Sequence, residues 1–346
     1  MMAMRRPWLL PLVPLYAAGV AWKSRGFAQH SERSQRLAEP VVSVGSLSAG
    51  GAGKTPFVIA LAEAIRRAGY GMDVLTRGHG RTSTGDLRVR PDGDADEFGD
   101  EPLLLARQLA CPVYVARERF RAGEMAERDR RVRRDDRHLS LHLLDDGFQH
   151  RQLARAVDIV LFTAEDAADT LLPAGNLREP LRAMRRADIV VLRSEEAASL
   201  QPVLDRVFAG HSAPKVWIVD RQVAVVEGPA PQRPFAFCGI ARPDGFRSAL
   251  QSLGMELVRF LALRDHQRYD AAMVRELTQQ ATAARAHGFV TTAKDAIKLS
   301  AAMRQELAQI GPLTVCDVRV HLHDEARCMS DMISLIEAGW KRRLAP

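Results

Sequence analysis

The residues in this chain most suited to chemistry lie in Val41-Val-Ser-Val-Gly-Ser-Leu-Ser-Ala-Gly-Gly-Ala-Gly-Lys-Thr-Pro56. A β-branched run leads into a turn rich in glycine. The turn ends in Gly53-Lys54-Thr55, and a helical pattern, FVIALAEAIRRAG, follows. Strand, glycine loop and helix in that order form the context of a phosphate-binding loop. Gly50, Gly51 and Gly53 let backbone N–H groups turn inward around an anion with no Cβ in the way. The helix that follows directs its positive end at the same point. Ser48, Ala49, Gly50, Gly51, Ala52, Gly53, Lys54 and Thr55 are therefore the expected triphosphate cradle. Lys54 supplies a point charge, and the Thr55 hydroxyl is placed for Mg²⁺. The strict pattern G-x-x-x-x-G-K-[ST] has Ser48 in place of its first glycine.

A second group fits the first. The apolar run LSLHLL ends in Asp145-Asp146. An acid at the carboxyl end of a strand beside a phosphate loop holds Mg²⁺ and neutralises charge on the β/γ-phosphates. Adjacent strand residues point to opposite faces, so one carboxylate is expected on the metal and the other in a turn. Gln149 and His150 follow directly and can reach the same place. Transfer to an alcohol also needs a group that takes the hydroxyl proton. Asp100 in FGDEP and His266 in RDHQRY are candidates, although spacing alone does not bring them together.

These residues need a scaffold, and the chain has the material for one. Short apolar runs (MDVLTRG, PVYVA, LSLHLLDDG, VDIVLF, ADIVVLR, KVWIVD) alternate with helical segments. They are continuous, not alternating, as expected of parallel strands covered on both faces. The expected fold is α/β, a mostly parallel P-loop NTPase-type sheet with helices on both faces. After the Pro- and Gly-rich stretch VEGPAPQRP the pattern restarts with FAFCGI, MELVRFLAL, GFVTTAKD and LTVCDVRV. The expected division is an N-terminal segment 1–36, a P-loop domain 37–225 and a smaller α/β domain 226–346. A cleft between lobes suits an enzyme with two substrates. Arg117 to Arg137 is an arginine-rich helical stretch, expected to be a solvated helix laced with ion pairs.

Composition narrows the partners. The 346 residues are 47% hydrophobic and carry a net charge of +7, with only six lysines among 49 basic residues. A basic surface suits nucleotides or anionic lipids. No nucleic-acid-binding signature is present, so nucleic acid is not an expected partner. Four scattered cysteines without a C-x-x-C fit reduced thiols. At the N-terminus, basic residues flank roughly 15 mostly apolar ones, short of the about 20 that span a bilayer. A signal peptide, a core helix and a membrane-surface anchor are all open readings. Trp8, Tyr16 and Trp22 favour the anchor.

Several motifs occur together and in order: GSLSAGGAGKTP, TRGHGR from Thr76, GDEP from Gly99, DDGFQH from Asp145, LPAGNLREP from Leu172, FCGI from Phe237, DHQxY from Asp265 and TTAKDAIKL from Thr291. The set resembles the tetraacyldisaccharide 4′-kinase family, the lipid A 4′-kinases of Gram-negative bacteria. The family's own loop also carries a small hydroxyl residue where Ser48 stands. The resemblance implies transfer of the γ-phosphate of ATP to the 4′-hydroxyl of a tetraacylated glucosamine disaccharide 1-phosphate, giving lipid IV-A. It also implies a place on the cytoplasmic face of the inner membrane, and no protein partner. By motif it makes Asp100 the catalytic base with His266 as its partner, and Thr55, Asp145 and Asp146 the Mg²⁺ site. Glu101, Gln149, His150, Arg178, Glu179 and Lys294 line the site. Ser46 stands where the family usually has Asn, and His79 where it has Tyr. The alternative is a membrane-associated P-loop switch or partition-type ATPase acting on protein partners. Its signature lysine would fall at Ala49. A small-metabolite P-loop kinase would leave the N-terminal segment as core.

Overall fold

The computed structural model describes residues 6–29, 34–50, 52–133, 140–265 and 267–344. Its strands are β1 Val41–Ser46, β2 Gly71–Thr76, β3 Leu87–Arg88, β4 Val113–Val115, β5 Ser140–Asp145, β6 Val157–Leu161, β7 Ile189–Arg193, β8 Lys215–Glu227, β9 Pro234–Cys238, β10 Arg259–Ala262, β11 Gly288–Thr292 and β12 Leu313–Leu322. They form one sheet in the order β10-β9-β11-β12-β8-β7-β6-β1-β5-β2-β4-β3. Neighbours are parallel except β8 with β12 and β3 with β4. The mostly parallel α/β reading therefore holds, and each apolar run expected to be a strand is one. The central strands β1, β2, β5 and β6 are buried along their whole length, because helices cover both faces and leave no side for polar residues. β8 differs. It runs on past the expected KVWIVD and pairs antiparallel with β12, with partly exposed residues along it. One antiparallel ribbon thus joins the β1–β7 block to β9–β11.

β1 lies between β6 and β5, and Val44 is in register with Asp145. The phosphate loop and the paired carboxylates therefore leave adjacent strands at the same sheet edge. The helix Lys54–Arg67 buries Phe57, Val58, Leu61 and Ile65 on the sheet. That packing holds the amino end of the helix at the strand tips, and its stability comes mainly from the buried face.

The arginine-rich helix Arg119–Arg133 is solvated and ion-paired on its outer face, as expected, but its inner face departs from that character. Arg119, Glu127 and Arg130 are buried. The cause is polar residues in the strands beneath. His142 of β5 and Asp73 of β2 are both buried there, and the helix supplies their partners.

At the N-terminus, a 3-10 turn Pro7–Leu12 leads into the helix Val13–Gln29. It is not a core helix: Trp8 is 73%, Leu15 74% and Trp22 80% exposed. Its inner side is tied down. Arg6 N–H donates to Ala174 O, Tyr16 donates to Arg178 O, and Arg151 donates to Ser24 O. Among the described residues no helix is long and apolar enough to cross a membrane.

Candidate active site

β1 ends at Ser46, and the chain turns through Gly50 and Gly53, both at positive φ (87° and 83°), before the helix starts at Lys54. Gly51 lies outside the described residues. The turn is braced from behind by the segment around Leu177. Ala49 N–H donates to Asn176 O (2.8 Å) and Arg178 N–H to Leu47 O (2.7 Å). Lys54 Nζ donates to Ser46 Oγ at 3.2 Å, and Ser46 Oγ donates to Ser48 O at 3.0 Å. Ser46 thus steers the lysine and pins the loop. Thr55 is buried in the first helical turn.

The tip of β5 comes in beside it. Asp146 sits at φ 50°, a left-handed conformation that a non-glycine residue adopts only where its surroundings hold it. Arg178 holds it through two bonds of 3.0 and 2.8 Å, and Lys54 Nζ stands 3.4 Å from Oδ1. Burial pushes the Asp146 carboxyl up, but Arg178 and Lys54 outweigh it and keep the group well below the usual carboxylate range. Asp145 is different. It is buried, its Oδ1 has no hydrogen-bond partner, and burial with Glu101 and Asp146 nearby pushes it up to about 7. The chain then doubles back so tightly that a Cβ on Gly45 would stand 2.5 Å from Phe148 Cβ. That approach brings Gln149 Nε2 to Ser46 O at 3.0 Å. His150 is pushed down to about 4 by burial and by Arg119, Arg155 and Arg77, and is neutral at pH 7. Glu179 is buried and grips Arg186 at 2.9 and 3.0 Å, which lies over the Phe148 ring. It therefore acts on the 145–150 turn from behind.

The third part comes from the carboxyl-terminal motifs. Asp295 accepts bonds from Gly239 N–H (2.9 Å) and Thr292 Oγ1 (2.7 Å), locking FCGI to TTAKD. That fixes two lysines one helical turn apart. Lys294 Nζ meets Glu101 Oε1 at 2.6 Å, and Lys298 Nζ meets Asp100 Oδ2 at 3.3 Å. Burial would raise Glu101, yet Lys294 and Lys54 hold it below its ordinary value. Burial would lower Lys294, but Glu101, Asp145 and Asp265 raise it. Lys298 also donates to Gln267 O at 3.2 Å, so the residue after His266 and the Asp100 carboxylate share one ammonium. His266 itself lies outside the described residues. A cavity of about 450 Å³ opens between these parts, lined by Gly53, Lys54, Thr55, Glu101, Asp265 and Lys294 among others.

Lys298, Arg119 and Arg221 were not singled out from the sequence. Lys298 stands in the TTAKDAIKL motif, where its spacing of four from Lys294 was the available signal. Arg119 is buried with an unpartnered Nε, and burial with Arg77 lowers it to about 10. In the sequence it is one arginine among many.

Comparisons with known proteins identify the family. The profile of the family described as tetraacyldisaccharide-1-P 4′-kinase matches residues 5–337. The tetraacyldisaccharide 4′-kinase of Koribacter versatilis is 41% identical over 335 residues, covering 94% of this chain and 98% of that protein. That of Syntrophus aciditrophicus is 39% identical over 318 residues, 82% of each. The crystal structure of LpxK from Aquifex aeolicus in complex with ATP superposes with a TM-score of 0.72 at 28% identity, over 96% of this chain and 99% of that one. With the profile covering nearly its whole length, the chain belongs to the tetraacyldisaccharide-1-phosphate 4′-kinase family.

Proposed function

We infer that this kinase moves the γ-phosphoryl group of ATP to the 4′-hydroxyl of a tetraacylated glucosamine disaccharide 1-phosphate. The observation that carries the assignment of roles is the meeting of Lys54, Glu101 and Lys294 on one cavity. Ser48 to Thr55 cradle the phosphates through backbone N–H groups and Lys54. Mg²⁺ fits the site on chemical grounds: Asp145 is a buried carboxylate with an orphaned oxygen, raised by two neighbouring acids. Thr55, Asp145 and Asp146 would hold it, and a bound cation supplies charge that neutralises the phosphate oxygens. Asp100 takes the proton from the 4′-hydroxyl as its oxygen bonds to phosphorus and the bond to the ADP oxygen breaks. Lys298 orients Asp100, and His266 is its partner. Residues 37–225 and 226–346 are the two lobes flanking the cavity, since Lys54 comes from one and Lys294 from the other. The partition-type alternative has no support in the family to which the chain belongs.

The exposed face of Trp8, Leu15 and Trp22 lies on the cytoplasmic face of the inner membrane in this reading, where acyl chains stay in the bilayer and ATP is available. No protein partner enters the reaction.

Two measurements test the reading. With labelled ATP and the tetraacyl disaccharide 1-phosphate in detergent, label should appear in the lipid. Asp100→Ala should lower kcat on the order of 10²- to 10⁴-fold with ATP affinity held; lost affinity with kcat intact would remove Asp100 from its role. For the membrane, Trp8→Ser/Leu15→Ser/Trp22→Ser should release the protein from vesicles of anionic phospholipid while ATP binding persists. Undiminished flotation would end the anchor assignment.

A further inference from the structure

Arg221 is a charge without a match. It leaves β8 in the ribbon that joins the two strand blocks, and its guanidinium lies against Gly53. A Cβ on that glycine would stand 3.2 Å from Cζ and 3.4 Å from both Nη1 and Nη2. It lines the same cavity as Lys54 and Thr55. Its Nε is buried without a hydrogen-bond partner, and no carboxylate among the described residues pairs with it. Its basic neighbours are matched: Arg193 with Glu196 at 3.2 Å, and Arg242 with Glu165. Burial, Arg193 and Arg242 depress Arg221 to about 10, against the weaker pull of Glu195 and Glu196. A guanidinium held half out of water against two cations is unfavourable unless an anion completes it. A planar fork beside inward-facing amides suits phosphate oxygens.

Its position tells which phosphate. The order β8-β7-β6-β1-β5 puts β8 and β5 on opposite sides of the phosphate-loop strand. Lys54 reaches toward Asp146 on the β5 side, the side of the carboxylates that flank the transferred group. Arg221 comes from the other side.

We propose that Arg221 binds the nucleotide at its α-phosphate end, so that it sets affinity for any adenine nucleotide and not the rate of phosphoryl transfer. This rests on the phosphate-loop reading, and the test separates the two. Binding of ATP, ADP and AMP is titrated calorimetrically to wild type, Arg221→Gln, Arg221→Lys and Lys54→Ala. Arg221→Gln should weaken all three nucleotides alike, by roughly tenfold to a hundredfold, with kcat at saturating ATP kept. Arg221→Lys should recover part of the loss. Unchanged affinity in Arg221→Gln overturns the proposal, as does a loss confined to ATP. If Lys54→Ala is equally silent, the loop reading falls with it; if Lys54→Ala alone weakens ATP, only the Arg221 assignment fails. Should Arg221→Gln not fold, the wild-type chain decides. AMP should protect Arg221 from phenylglyoxal, mapped by mass spectrometry, and equal modification with and without AMP would refute it.

Discussion

Two clusters of charge, one buried and one partly open to solvent, lie on neighbouring strands of one sheet and have opposite characters. Under the helix Arg119–Arg133, the cluster is closed. His142 Nδ1 meets Asp73 Oδ1 at 2.6 Å, Arg130 meets Asp73 Oδ2 at 2.5 Å, and Glu127 faces His142 Nε2 at 3.4 Å. Glu127 also accepts from Glu39 N–H, and Arg130 pairs with Glu39 at 2.7 Å. Three residues beyond His142 in β5, the cluster of Asp145, Asp146, Glu101, Lys54 and Lys294 is open. It has an orphaned carboxylate oxygen, a strained backbone at Asp146 and a cavity alongside. Both are built from carboxylates and cationic side chains. What separates structure from function here is whether each buried charge already has its partner: a closed network has nothing left to bind, and an open one is completed by a ligand.

The strongest way to break this comparison is in activity. Lys54→Ala should lower kcat on the order of 10³-fold or more, because it removes a charge from the transferred phosphate. Its melting temperature should hardly move, since Lys54 is not part of the core. The closed cluster should respond the other way. Asp73→Asn leaves His142 and Arg130 with one buried anion fewer, which costs about 3 to 5 kcal/mol. A fall in melting temperature of roughly 5 to 10 °C is expected, with KM for ATP unchanged. A thermal scan and a steady-state assay on both variants check the pair. If Asp73→Asn changes KM and leaves stability alone, the distinction between the clusters is wrong.

The sequence revealed the open cluster far better than the closed one, and the reason is physical. A phosphate loop needs glycine, lysine and threonine at fixed offsets, and a strand ending in Asp145-Asp146 is a local signal too. Ordered motifs then linked Asp100, Arg178 and Lys294 across the chain. Continuous apolar runs disclosed the strands, because a doubly covered parallel sheet has no polar side. His142 is a single polar residue inside an apolar run, and nothing nearby in sequence shows that Asp73, Glu127 and Arg130 converge on it. The same limit hid Arg221. It sits in a strand whose pairing with β12 depends on residues about a hundred positions away.

A gentler probe of the closed cluster is pH. Burial opposes the charge on His142, but Asp73 and Glu127 outweigh it and lift the imidazole to about 9, against the smaller repulsion of Arg130. Its ordinary value is 6.5. Because the folded state binds the proton more tightly than the unfolded one, the stabilisation is complete below about pH 6.5 and is lost as pH rises through about 9. Urea titrations between pH 6 and 10 should show a decline of a few kcal/mol in wild type. His142→Gln should be less stable at pH 6, and the gap should close by pH 10. A gap that stays constant over that interval would mean that His142 is neutral throughout.

The smallest effect is the most discriminating, because its sign differs between the clusters. Asp145 is held at about 7, mainly by burial and then by Glu101 and Asp146, with Lys54 and Lys294 opposing. The folded state therefore disfavours its charge. That penalty is absent when the acid is protonated, below about pH 4, and complete above about pH 7. Asp145→Asn removes the charge without changing the shape. At pH 8 and without Mg²⁺, the variant should be more stable than wild type by about 1 to 2 kcal/mol, and at pH 5 the difference should shrink. Adding Mg²⁺ should stabilise wild type and leave the variant unmoved, since the cation completes what the asparagine has lost. Kinase activity should fall together with this gain in stability. If Asp145→Asn is instead destabilised like Asp73→Asn, both clusters are structural networks, and the open character of the strand tip is not what marks the site.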